Sequence, residues 1–275
     1  HPLLVGGNPF TTTSIYALIH YLERQWGVFF CMGGTGKLVA ELHNLLHRAG
    51  VNVELGVDIE QIEQQGQLVT GAVATDGRRF TANRVICNGD PPTVYRQMMP
   101  QERRRKKALP DSLTQYSMGL YVLFFGTRRS YEDVAHHTIW MGPRYRELLA
   151  DIFDRKILAD DFSLYLHRPT ATDKSFAPDG CDSFYVLCPV PNLLGDVDWD
   201  VEGPALRDRI VAALGRTIMP DLEKTITEDF WMTPEDFLND YRSMHGAGFS
   251  IAPLFIQSAW FRYHNRDPVS YTHLT

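Results

Sequence analysis

The run FFCMGGTGKLVAELHNLLHRAGVNVELGVDIEQIEQQGQLVTGAVATDGRRFTANRVICNGD, residues Phe29 to Asp90, decides how the rest of the chain is read. After the turn Gly33-Gly34-Thr35-Gly36, the residues Leu38, Leu42, Leu45 and Leu46 recur at helical spacing, which predicts a helix with one face buried against a sheet. Gly50 stops it. Val51, Val53 and Leu55 alternate with polar residues as in a half-buried strand, Val57, Ile59 and Ile62 continue the pattern, and Gln64-Gln65-Gly66-Gln67 breaks it. Leu68 to Thr75 and a return from Arg78 to Phe80 predict a hairpin, with Asp76-Gly77 supplying the positive φ angles of a tight primed turn. Val85-Ile86-Cys87 reads as a short strand ending at Asn88-Gly89-Asp90.

Neither common phosphate motif fits the glycine turn. A P-loop needs Gly-Lys-Ser/Thr, but Gly36-Lys37 is followed by Leu38, and Cys31 stands at the first glycine position. A dinucleotide fingerprint needs a third glycine where Val39 stands, and Glu54 is a weak ribose acid.

A glycine-turn helix followed by a strand, a DG hairpin and a closing strand resembles the second part of the FAD-binding domain in flavoproteins of the amine-oxidase and phytoene-desaturase kind. The flanks HPLLVGGNPFTTTSIYALIHYLERQWGVFF, AHHTIWMGPRYRELL, DFSLYLHRPTATD, CPVPNL and IQSAWFRYHNRD narrow the resemblance to bacterial-type phytoene desaturases, over about residues 1–267. It implies an α+β protein: a partial FAD-binding domain at 31–90, of helix plus β-meander with the N-terminal Rossmann unit missing, joined to a mixed-sheet substrate domain with helices. On this resemblance residues 1–30 and 91–252 belong to the substrate domain, 253–267 return to the FAD-binding domain, and Pro268 to Thr275 are a tail outside the family pattern. The chain is then an internal fragment.

The resemblance also implies FAD as cofactor, with Val57, Asp58 and Ile59 passing beside the adenine, Ile59 through its backbone, and Asn88 nearby. Plain sheet core for Val57 and Ile59, and a turn cap for Asn88 and Asp90, are the alternatives. Because the pyrophosphate normally rests on the glycine turn of the absent unit, the chain alone is expected to bind FAD weakly or not at all. The implied substrate is an apolar polyene, phytoene or a similar carotenoid precursor, lined by Tyr16, Phe30, Phe249 and Trp260. His264 is the candidate catalytic base, with a satisfied structural histidine as the alternative. A related flavin oxidoreductase such as a carotenoid isomerase or oxidase, and a non-catalytic apolar-ligand binding module, remain the competing functions.

Composition sets the outer limits. Of 275 residues, 44% are hydrophobic and 22% charged, which suits a globular protein rather than a disordered or membrane-spanning one. A formal charge of -6 argues against nucleic-acid binding. The cysteines, Cys31, Cys87, Cys181 and Cys188, lack CxxC spacing and read as reduced structural thiols of a cytoplasmic protein. Arg103-Arg104-Arg105-Lys106-Lys107 is a dense basic run, either a solvated face or a peripheral attachment to the inner face of the cell membrane.

Ile15, Leu18, Ile19 and Leu22 predict an amphipathic helix whose apolar and aromatic residues are buried. Ser117 to Gly126, Phe162 to His167 and Phe184 to Cys188 read as strands, and Arg144 to Asp154 and Glu202 to Leu214 as helices. His136-His137 in a strand should point to opposite faces, so no metal site is expected. No GxSxG elbow or HExxH helix is present, which is compatible with chemistry carried by a flavin.

Overall fold

The computed structural model describes residues 5–66, 68–100, 113–258 and 262–263. Trp260, His264, the basic run Arg103 to Lys107 and the segment Pro268 to Thr275 lie outside the described residues. Two helices come first, α1 (Leu18–Trp26) and α2 (Gly34–Arg48). A three-stranded meander follows in the order β1-β2-β3, made by β1 (Ile59–Gln65), β2 (Leu68–Ala74) and β3 (Arg79–Thr81). The larger sheet has the order β5-β6-β7-β4-β8, from β4 (Gly119–Thr127), β5 (His137–Trp140), β6 (Leu164–His167), β7 (Asp182–Val190) and β8 (Ile226–Met232).

The class is α+β, as read from the sequence. The larger sheet is antiparallel in every ladder, however, where a mixed sheet is expected. Parallel neighbours need a strand-helix-strand crossover. The 18-residue helix α3 (Trp199–Arg216) connects β7 to β8, which lie on either side of β4 and do not pair with each other.

The core follows from strand alternation. In β7, Asp182, Phe184, Val186, Cys188 and Val190 are buried while the residues between them are half-buried. Phe184, Val186, Cys188 and Val190, together with Tyr121, Leu123 and Phe125 of β4, pack on Leu206, Ile210, Val211 and Leu214 of α3. Each such side chain contributes about 1.5–3 kcal/mol on burial. Asp198 caps α3 by accepting from the Asp200 N–H at 3.2 Å. On the opposite face, Leu120 and Val122 meet Leu148 and Ile152. These come from the helix Tyr145–Ala150 and its π-helical continuation Asp151–Arg155.

An Asp182 carboxylate, fully buried, ties this sheet to its loops. Arg168 Nε donates to it at 2.9 Å, Thr170 Oγ1 at 2.6 Å and the Tyr131 N–H at 2.8 Å. Burial opposes ionisation of Asp182, but these bonds outweigh it and leave the carboxyl below its usual range. Cys188, equally deep, has its thiol pushed up to about 12 by burial and is inert; the other three cysteines are also free.

Several expectations fail around the opening stretch. α2 forms, yet Leu42 and Leu45 are each 52% exposed, and Leu38 and Leu46 are exposed beside them. α1 buries none of its residues, and Tyr21, Trp26 and Phe29 are exposed rather than packed. Val51 to Leu55 and Val85 to Cys87 form no strand, with Leu55 at 82% exposure and Ile86 at 69%. An extended segment becomes a strand only beside a neighbour that accepts and donates its backbone bonds, and the described residues supply none there. At the hairpin tip only Gly77 has positive φ, 85°. The Gly77 N–H bonds to Ala74 O and the Ala74 N–H to Arg78 O, making a three-residue loop rather than a primed turn. Asp76 contributes through its side chain, accepting from the Arg78 N–H at 3.0 Å.

Candidate functional site

Where the meander closes, Asn88-Gly89-Asp90 meets the loop that follows Pro234–Asn239, and a cleft of about 730 Å³ opens between them. Ile62, Val69 and Val85 form one wall; Phe237, Tyr241 and Phe249 form the other. Asp90 holds the two together. It accepts from the Met244 N–H at 3.0 Å, from Thr93 Oγ1 at 3.3 Å and from the Ser250 hydroxyl. The loop is locally strained: Arg242, His245 and Ser250 all adopt left-handed φ, at 54°, 57° and 63°. Such residues persist where surrounding contacts over-determine them, and they concentrate at functional sites. Gly246 is required here, since a Cβ would lie 2.2 Å from Pro234 O.

A second cleft, about 620 Å³, adjoins the first and shares Pro91, Phe249, Ser250 and Tyr263 with it. Tyr16 lines this one, its hydroxyl 3.3 Å from Ser258 Oγ. The structure therefore brings Tyr16 to Phe249, and Phe249 to Asn88. Phe30 is elsewhere. It lines a third cavity of about 530 Å³ against the face of the larger sheet, with Phe124, Tyr185, Phe230, Phe176 and His167. Phe124 stacks on Phe230 with ring centres 4.7 Å apart, and tilts against Tyr185 at 5.9 Å.

Val57, Asp58 and Ile59 line none of these three cavities. Ile59, half-buried, opens β1 opposite Ala74, while the Asp58 carbonyl accepts from the Thr75 N–H at 2.8 Å. The Asp58 carboxylate pairs with Arg242, so this strand entry is tied to the strained loop. The aromatic wall of the third cavity is legible only in part: Phe124 lies in a strand read from the sequence, whereas Glu228 and Asp229 in ITEDFWM mask β8, which carries Phe230.

Next to Phe30 the sheet gathers three histidines. His136 and His137 do not diverge, because His136 precedes β5 and is outside its pleat; their ring centres are 4.4 Å apart. His167 pairs with His137 across the β5–β6 ladder. Burial, with the neighbouring imidazoles adding to it, lowers His167 to about 4. Burial likewise raises Tyr165.

A dinucleotide cofactor can be tested against the anion-binding groups present. The N-terminus of α2 is already served: Asp173, buried, accepts from the Gly33 N–H at 2.7 Å and from Ser175 N and Oγ at 3.0 and 2.7 Å. These bonds hold Asp173 below the usual carboxylate range, the Ser175 hydroxyl contributing most. A pyrophosphate does not fit there without displacing a carboxylate. Asn88 lines the first cleft, whose surface is mostly apolar.

A sequence model of the family described as "Flavin containing amine oxidoreductase" matches residues 3–275. The chain is 48% identical over 269 residues to "Phytoene desaturase (lycopene-forming)" of Paracoccus sp. (strain N81106 / MBIC 01143), covering 97% of this chain and 54% of that protein. It is 47% identical to the protein of the same description from Pantoea ananas, covering 97% and 55%. With "Phytoene desaturase (neurosporene-forming)" of Rhodobacter capsulatus it shares 39% identity, covering 96% and 52%. The chain thus spans about half the length of these relatives. Among solved structures, cyclohexylamine oxidase from Brevibacterium oxydans aligns with a TM-score of 0.47 at 12% identity, covering 92% of this chain and 52% of that one.

Proposed function

The chain belongs to the flavin-containing amine oxidoreductase family, and we propose that it forms the polyene-binding wall and a secondary part of the flavin site of an FAD-dependent carotenoid desaturase acting on phytoene or a similar linear precursor. The observation that carries this reading is the aromatic cavity of Phe30, Phe124, Tyr185 and Phe230, taken with the names of the relatives. A hydrocarbon offers no polar handle, so affinity must come from apolar burial at about 25 cal/mol per Å². Rigid aromatic faces supply that area with little loss of side-chain freedom.

Desaturation removes a hydride from one allylic carbon and a proton from its neighbour, and bound FAD would supply the hydride acceptor. The residues present bind, orient and exclude water: Phe30 at the sheet face, and Tyr16 and Phe249 at the adjoining clefts; Trp260 is a further candidate for the polyene lining. Asn88, Val57, Asp58 and Ile59 make up the secondary cofactor contacts, and His264 is the base candidate. Residues 31–90 and 253–267 belong with the cofactor and 1–30 and 91–252 with the substrate, a division in keeping with the two separate sheets, the meander ending at Thr81 and the larger sheet starting at Gly119. Among the described residues no helix is long and apolar enough to cross a membrane. A cytoplasmic protein resting on the inner membrane face through Arg103 to Lys107 would meet its substrate there.

The test is retention of lycopene or phytoene, delivered in detergent micelles, by the purified chain through gel filtration. Retention that falls on Phe230→Asp or Phe124→Ser supports the reading; no retention, or retention indifferent to both changes, overturns it. FAD titrated in parallel should bind weakly, and stoichiometric tight binding would contradict the assignment of a secondary flavin role.

A further inference from the structure

We propose that His136, His137 and His167 form a binding site for a divalent first-row transition-metal ion, Zn²⁺ being the simplest fit. The site follows from topology. Residues directly opposite across an antiparallel ladder put their side chains on the same face, so the His137–His167 pair stacks, ring centres 5.3 Å apart and planes 11° from parallel. His136, free of the pleat, turns to the same side, its ring centre 4.8 Å from that of His167. One donor nitrogen from each of the three lies within 4.8 Å of the others. Around Zn²⁺ with bonds of about 2.0–2.1 Å, tetrahedral ligand nitrogens are roughly 3.3 Å apart. Small side-chain rotations bring the three into that spacing.

The surroundings resemble a ligand set more than an aromatic stack. Metal-binding imidazoles typically engage their second nitrogen with an outer partner that fixes the tautomer. Here His136 Nδ1 is 2.5 Å from Thr172 Oγ1 and His137 Nδ1 is 2.7 Å from Tyr165 Oη. With both hydroxyls accepting, the lone pair of each ring sits on Nε2. His136 Nε2 already faces His167 Nε2 at 2.8 Å, a contact now bridged by a single proton that a cation can replace. His167 Nδ1 is buried with no hydrogen-bond partner, so nothing else fixes that ring's tautomer. No carboxylate belongs to the cluster, and an all-imidazole set suits Zn²⁺, Ni²⁺ or Cu²⁺ over Mg²⁺ or Ca²⁺. Three protein ligands leave a fourth position for water, and His167 also lines the cavity of Phe30 and Phe176.

The competing sink for metal on this chain is the pair His43 and His47, four residues apart on α2 with ring centres 4.5 Å apart. The experiment is titration of the full chain, stripped with chelator, with Co²⁺ alone and then with Zn²⁺ in competition. One equivalent should bind, with the visible d–d absorption of tetrahedral Co²⁺ and a higher Tm. The double variant His43→Ala/His47→Ala should keep that signal, and His167→Ala and His136→Ala should abolish it. Thr172→Val, which leaves all three ligands in place, should weaken binding about 10-fold or more. Should the ligand variants fail to fold, imidazole NMR on the unaltered chain decides: Zn²⁺ must shift the His136, His137 and His167 resonances together. Absence of saturable binding, loss of the signal with His43 and His47, or shifts confined to other histidines overturns the site.

Discussion

At the scale of single residues, the most consequential contact is the Arg168–Asp182 pair, 3% and 0% exposed at their side chains. Breaking a buried pair leaves a charge without compensation, so Arg168→Ala should destabilise the chain by about 3–5 kcal/mol. Denaturant unfolding followed by tryptophan fluorescence measures it. The same carboxylate gives the acid limit. Its folded pKa lies below the unfolded value near 3.8, so its contribution is present above that pH and is lost as pH falls through the folded pKa. His245, lowered by burial and then by Arg96, acts earlier. The unfolded chain takes up a proton at that residue as pH drops below about 6.5 while the native one resists. Stability should therefore decline on acidification from pH 6.5 and decline again below 4, and thermal melts across that range would reveal a flat profile if these assignments were wrong. Gly34 is a third such point: at φ 78°, with a Cβ position 2.7 Å from Phe176, Gly34→Ala should cost about 1–2 kcal/mol for the left-handed backbone alone.

Secondary elements separate what the sequence expresses from what it withholds. β4 and β7 were legible as dense runs of β-formers that the sheet then buries, and α3 from Leu206, Ile210, Val211 and Leu214 on one face. α2 was legible as a helix from Leu38, Leu42, Leu45 and Leu46 but not in its burial, since spacing says which side is apolar and nothing about what stands opposite. Val51 to Leu55 and Val85 to Cys87 have strand patterns with no ladder partner among the described residues, and pattern alone cannot supply one. The histidine cluster was hidden for a related reason. Adjacent residues diverge only inside a pleat, and whether β5 starts at 136 or 137 is below the resolution of sequence patterns. The exposed α2 stripe yields its own prediction: Leu42→Gln with Leu45→Gln should change stability by no more than about 0.5 kcal/mol while reducing dye binding and self-association. A loss of several kcal/mol would mean that these leucines are packed.

Taken whole, the chain couples a well-filled antiparallel sheet to a lightly packed meander, with clefts on the boundary between them. Because Asp90 bridges to Met244, Thr93 and Ser250, the boundary clefts should widen when that carboxylate is removed. Asp90→Ala is expected to lower polyene retention while leaving the sheet's melting transition in place, a split that retention assays and near-ultraviolet dichroism resolve together. The outward-facing α2 carries a different consequence. A helix of that length, Gly34 alone buried in it, is marginal on its own in water. Its amides should surrender their hydrogens to heavy water far sooner than those of β4, which lie locked between two neighbouring strands. A protease should make its first cuts there too, while the central strand survives until the entire fold lets go.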